Sequence, residues 1–171
     1  MNMKRSIVAV VGIVVALAFV AGCSSDKTVS ASDAEAKLIS TQKGKVGGLK
    51  LGKASCPDDV KVKEGAKFTC TLSIGDAEAP YDVTLKNVDK DAKYNFKPAK
   101  AIIPLAKANE FVSQNLNESA DGATVVCGKS GVQIQLADPG DIISCKVTLG
   151  SDSATVKLKV KDIEGNVSVV Q

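Results

Sequence analysis

Five cysteines and a complete absence of histidine set the chemistry open to this chain. Cys56, Cys70, Cys127 and Cys145 lack the CxxC spacing of a zinc site, and the commonest metal ligand is missing, so disulfide formation is the chemistry they suit. The same absence removes the commonest general acid/base near neutral pH. Gly122 to Ser130 (GATVVCGKS) ends like a phosphate-binding loop, but five residues separate its glycines where the motif needs four. Ser24-Ser25-Asp26-Lys27 fits the S-x-x-K pattern of acyl-serine enzymes, and Ser151-Asp152-Ser153 nearly fits the companion motif; the K-T-G that completes such sites is missing. Asp58-Asp59 and Asp138-Pro139-Gly140-Asp141 lack the regular alternation of oxygen ligands in a calcium loop, and turn chemistry accounts for them. The expectation is a non-enzyme with no cofactor and no metal.

The fifth cysteine is different. The chain opens MNMKRSIVAVVGIVVALAFVAGC: Lys4 and Arg5 form a positive start, Ile7 to Val20 an apolar run, and small residues precede Cys23. This is the three-part build of a signal peptide, and the run is short for a membrane span. Val20-Ala21-Gly22-Cys23 resembles the bacterial lipobox, which implies cleavage before Cys23 and acylation of its thiol. Acyl chains contribute about 0.8 kcal/mol per buried CH₂, enough in combination to hold a protein on a bilayer. Residues 1–22 are then the signal peptide, and residues 23–31 the lipidated cysteine with a short polar tether. Such a tether spans on the order of 15 Å. The sequons Asn117-Glu118-Ser119 and Asn166-Val167-Ser168 carry little meaning behind a bacterial export signal.

Removing Lys4 and Arg5 takes Lys+Arg from 22 to 20 against 19 Asp+Glu, a net charge of about +1. A nucleic-acid binder needs a clustered basic excess, and this balance argues against one.

What positions the four paired cysteines is a repeat. GAKFTCTLSIG (65–75) returns as GDIISCKVTLG (140–150), an offset of 75 that runs without a gap to the C-terminus. Before the cysteine, Cys56 matches Cys127 once four residues are inserted in the second copy. Self-similarity of this length predicts duplicated domains, over 32–99 and 100–171, rather than a solenoid. Each copy starts with a helix signal. Ser32-Asp33-Ala34-Glu35 reads as a capping box ahead of Leu38 and Ile39. Pro104 suits a first helical position, with Leu105, Ala108, Val112 and Leu116 at helical spacing and Phe111 beside them.

Strands follow each helix. Phe68, Cys70, Leu72 and Ile74 share one face, and Val156, Leu158 and Val160 lie opposite Lys157, Lys159 and Lys161, the alternation of an antiparallel sheet with one wet face. Short strands near 54–56 and 93–97 complete four per copy. The expected fold class is α+β, a helix on a four-stranded antiparallel sheet made twice. Units of about 70 residues bury modest cores and benefit from covalent staples. Duplication of a stapled unit predicts Cys56–Cys70 and Cys127–Cys145, although four cysteines in general allow three connectivities.

CPDDVKVKEGAKFTC with a lipobox upstream resembles the domain of unknown function 4333 of actinobacterial envelope lipoproteins, through Cys56-Pro57, Gly65, Phe68 and Cys70. The second copy departs from it, with Gly128 after Cys127 and Ile143 in place of the aromatic. The resemblance implies a location and a fold rather than an activity. In architecture alone, two stapled helix-on-sheet units are similar to the secreted beta-lactamase inhibitor proteins, which clasp an enzyme with their sheets.

The expected function is a lipid-anchored binding or scaffold module on the extracytoplasmic side of the cell membrane, with inhibition of an envelope or secreted enzyme as the alternative. Lys146, Lys157, Lys159 and Lys161 form a candidate contact for anionic lipid or polymer. An envelope protein is the other candidate partner, and nucleic acid is not expected.

Overall fold

The computed structural model describes residues 27–88, 93–116, 120 and 122–170. The expected signal peptide over 1–22, Cys23 and residues 24–26 lie outside that range, as does the sequon at 117–119. Among the described residues no helix is long and apolar enough to cross a membrane.

The first helix, α1, spans Ala31–Gln42 and begins earlier than the sequence predicts. Ser30, not Ser32, is its N-cap, accepting from the Asp33 amide at 3.3 Å. The reason lies one residue upstream. With Ser30 as cap, Val29 takes the position before the cap and Ala34 the fourth helical position, and both are buried in one cluster with Leu85. This is the apolar clasp that fixes the entry angle of a helix. It also frees Glu35, whose carboxylate accepts instead from the Cys56 amide at 3.0 Å. The tether expected over 23–31 therefore ends sooner. Val62 donates its amide to Lys27 O at 2.7 Å, Val29 donates to Val60 O at 2.8 Å, and Val29 is buried.

Four strands follow: β1 (Leu51–Ser55), β2 (Lys67–Ile74), β3 (Ala77–Lys86) and β4 (Lys93–Pro98), in the antiparallel order β1-β2-β3-β4. Cys70, Leu72 and Ile74 of β2 face the same way as Ala79, Tyr81, Val83 and Leu85 of β3, and all seven are fully buried. Leu38 of α1 packs into that layer. Phe68 keeps the expected face but is only half-buried. The buried polar Gln42 accepts from the Tyr81 hydroxyl at 3.4 Å.

The remainder comprises β5 (Ala101–Pro104), α2 (Leu105–Gln114), β6 (Thr124–Cys127), β7 (Ile134–Ala137), β8 (Ile142–Leu149), β9 (Asp152–Val160) and β10 (Val167–Val170). A second antiparallel sheet has the order β10-β9-β8-β6. Its inner residues Ile143, Cys145, Leu158 and Val160 pack with Leu105, Ala108 and Val112 of α2, and Phe111 and Leu116 cover the margin as expected. Pro104 is the N-cap of α2 rather than its first residue, and it supplies no side-chain bond. The chain is thus α+β, with two helices, antiparallel sheets and two disulfides.

Details below the level of the sheets also correspond between the halves. The second disulfide joins short edge strand β6 to its long neighbour β8, with Cys127 directly across from Cys145, and the first joins the residue after β1 to β2. Asn109 of α2 accepts from the Cys127 amide at 2.7 Å, as Glu35 does for Cys56. In each half the segment before the helix pairs with the loop that the disulfide closes, through the Thr28–Lys61 bridge in the first and through β5–β7 in the second.

The β5–β7 ribbon was not anticipated. The two disulfides close intervals of 14 and 18 residues, and the four extra residues fall in the loop that forms β7. The ribbon has two apolar faces. Ala101, Ile103 and Ala137 belong to the core beneath α2, while Ile134 is buried in the core of the first half, with Ile102 and Leu136 against it. Gln133 adds a polar tie: its amide donates to the Asp76 carboxylate at 3.0 Å, and its carbonyl accepts from the Leu105 amide at 2.9 Å. Packing through the ribbon thus joins residues on both sides of the 99/100 position.

Candidate functional site

The four core cysteines form the expected pairs, Cys56–Cys70 with S–S 2.05 Å and Cys127–Cys145 with 1.99 Å. Three of them are buried, and Cys56 is partly so. They are structural, and no thiol chemistry remains to them. The phosphate-loop look-alike is taken apart by the fold: Thr124–Cys127 is strand β6, Cys127 is disulfide-bonded, and Gly128 to Ser130 lead toward a strand instead of a helix. Asp138 and Asp141 serve their own turn. Asp141 accepts from the Asp138 amide at 2.8 Å, and Asp138 pairs with Lys100 at 2.7 Å. Among the described residues no group of three or more Cys, Asp or Glu could hold a metal ion.

The titrating groups with displaced pKa values point the same way. Lys107 holds the Glu110 carboxyl below its usual range, Asn166 does so for Asp162, and Asp138 holds Lys100 above its own. Burial pushes Tyr81 up to about 12. Tyr94 also reaches about 12, through burial first and then the Asp33 carboxylate that accepts from its hydroxyl. Every shift moves away from neutrality, whereas a general acid or base is tuned toward it.

The tyrosines make a prediction instead. Both phenols titrate at 10.0 when exposed and at about 12 in the fold. Below pH 10 folded and unfolded chains both keep these protons, and the full stability is present. As pH rises from 10 toward 12 the unfolded chain ionises and the folded one resists, so stability is lost. For fully buried Tyr81 this amounts to about 2–3 kcal/mol. With two tyrosines and no tryptophan, near-ultraviolet phenolate absorbance reports these residues alone. It is expected to rise only together with loss of circular dichroism, not before it.

A cavity of about 550 Å³ lies where the halves meet, between Gly47 and Leu49, the first turn of α2, and the 128–133 connection. Its walls are mostly apolar. Of its two lysines, Lys107 and Lys129, the first is paired with Glu110 at 2.7 Å, and the Leu105 amide is taken by Gln133.

Of the four candidate lysines, Lys146, Lys157 and Lys159 lie on one face of the sheet, and Lys161 lies beyond β9. In the β8–β9 register Lys146 lies across from Thr155, Lys157 from Ser144 and Lys159 from Ile142, so three lysines share the outward face. Lys161 follows the end of β9, beside Asp162, and its amide donates to Asn166 O in the turn. The sequence reading missed two properties of this face. Val126 and Ile142, 41% and 46% exposed, stand directly across from Lys146 and Lys159. None of the outward positions of β6, β8, β9 or β10 is Asp or Glu. Both could have been found by writing out the strands two residues at a time. The first sheet differs, since Asp82 sits between Thr69 and Lys97 on its outward face.

Residues 11–90 match the family model described as a domain of unknown function (DUF4333), a stretch that includes Cys23 and all of α1 to β3. No curated protein and no solved structure matches the chain. Over residues 11–90, then, the chain is similar to the DUF4333 family.

Proposed function

We propose that this chain is a lipoprotein of the bacterial cell envelope, anchored through Cys23 at the outer face of the cytoplasmic membrane. In this reading it is a binding or scaffold module without catalysis, built as two tandem copies of one helix-on-sheet unit. The observation that carries the reading is the spacing between Cys23 and the fold. The chain is fixed from Lys27 onward by the bonds to Val60 and Val62, four residues after a cysteine that ends a lipobox-like segment. A leader that stops so close to a folded, disulfide-stapled body suits an exported protein held against its membrane. The family match supports the reading because it runs through the apolar leader and Cys23 into the fold.

The test is Cys23→Ala in cells. Wild type is expected to incorporate radiolabelled palmitate and to partition into detergent; the variant should do neither. Label retained by the variant would refute the anchor.

A second reading, inhibition of an envelope or secreted enzyme, has one observation in its favour. The outward face of the first sheet carries a depression of about 450 Å³ with Thr69, Asp82, Asn95 and Lys97 among its walls. Inhibited turnover of an enzyme recovered with the protein from membranes would favour that reading over scaffolding.

A further inference from the structure

Building on the membrane-anchored reading, we propose that the outward face of the β6-β8-β9-β10 sheet docks on anionic phospholipid headgroups of the same bilayer. Three independent observations converge on this face. Within its strands it is cationic without compensation: Lys146, Lys157 and Lys159 are exposed, and no outward strand position is Asp or Glu. Among the described residues no hydrogen bond or ion pair engages the side chains of these three lysines. Lysines that merely solubilise a sheet are ordinarily interspersed with acids, as on the first sheet, where Asp82 stands beside Lys97.

The face is also amphipathic in a way suited to a lipid interface. Val126 lies across from Lys146, Ile142 from Lys159, and Val170 from Lys157, so each ammonium has an aliphatic neighbour. Lysine stems can lie along such residues while the ammonium groups meet phosphate, and the aliphatic tips reach the boundary below. Finally, the tether is short. From Cys23 to Lys27 a fully extended chain covers only about 14 Å, less than two Debye lengths at physiological salt, each about 8 Å. The fold is thus held in the zone where surface charge acts.

Each lysine near an anionic surface strengthens binding about fivefold, so three together give on the order of a hundredfold. The test uses the whole mature chain from Ser24, without acyl groups, sedimented with vesicles of phosphatidylglycerol and phosphatidylcholine in equal parts or of phosphatidylcholine alone. Binding is expected only to the anionic vesicles and should weaken steeply with salt. The triple variant Lys146→Gln, Lys157→Gln, Lys159→Gln should lose on the order of a hundredfold, and these surface changes leave folding nearly untouched. Lys67→Gln with Lys97→Gln, on the other sheet, should bind like wild type. Ile142→Ser should weaken binding several-fold while keeping the salt dependence.

Equal vesicle binding by wild type and triple variant would overturn the proposal, as would equal losses on the two sheets. Binding of soluble polyphosphate without binding of anionic vesicles would overturn it in favour of a polymer partner. Because the assay contains no lipidated protein, its failure leaves the anchor untouched, and absence of palmitate at Cys23 leaves this face untouched.

Discussion

Ile134→Ala is expected to destabilise the protein by about 2–5 kcal/mol, the range for removing the bulk of a buried isoleucine, and most of the damage should appear in the half to which Ile134 does not belong. Ile134 is 4% exposed and sits in the core with Leu38, Leu72, Ile74 and Tyr81. Amide hydrogen exchange should therefore accelerate in β2 and β3. Ile143→Ala is the matching control, since Ile143 is equally buried but belongs to the core under α2. If the ribbon couples the halves as its two faces indicate, wild type unfolds in one transition seen alike by all probes. Two resolved transitions, or an Ile134→Ala effect confined to residues after 100, would refute the coupling.

Opening the disulfides is the second large effect. Cys56–Cys70 and Cys127–Cys145 close loops of 14 and 18 residues' separation, and chain-entropy reasoning gives about 3 kcal/mol for each. The double substitution Cys127→Ser with Cys145→Ser should lower stability by about that amount. Full reduction, removing about 6 kcal/mol from a total that for domains is typically about 5–15, should unfold a large fraction of the molecules near body temperature. Denaturant melts with and without reductant measure this directly. A midpoint unmoved by reductant would show that the cores suffice alone.

The repeated phrase around Cys70 and Cys145 was readable because a strand with one wet face writes its burial into every second residue. Phe68, Cys70, Leu72 and Ile74 announce their side without any knowledge of their partners. The lysine face was readable for the same reason, since parity along β9 is a local property. The cap of α1 was misplaced because Ser30-x-x-Asp33 and Ser32-x-x-Glu35 are competing local signals. A buried contact between Val29 and Leu85, far apart in the chain, decides between them. Glu35 and Asn109 were invisible as partners of Cys56 and Cys127 because nothing local links a helix side chain to an amide 21 or 18 residues away. The ribbon escaped notice for a different reason. Ala101 to Pro104 is apolar on both faces, and Ile134 to Ala137 has only Gln135 to mark a face, so segments of four residues carry too little pattern to show a period. The cavity at the junction depends on the ribbon and was hidden with it.

If the chain is anchored through Cys23 as proposed, the Thr28–Lys61 bridge has a mechanical consequence. Tension entering from the anchor reaches Lys27 and Val29, whose backbone bonds lead to Val60 and Val62. Those residues lie inside the loop that Cys56 and Cys70 close. Pull from a bilayer would then be delivered first to a covalent ring, with α1 and its buried Leu38 behind that ring.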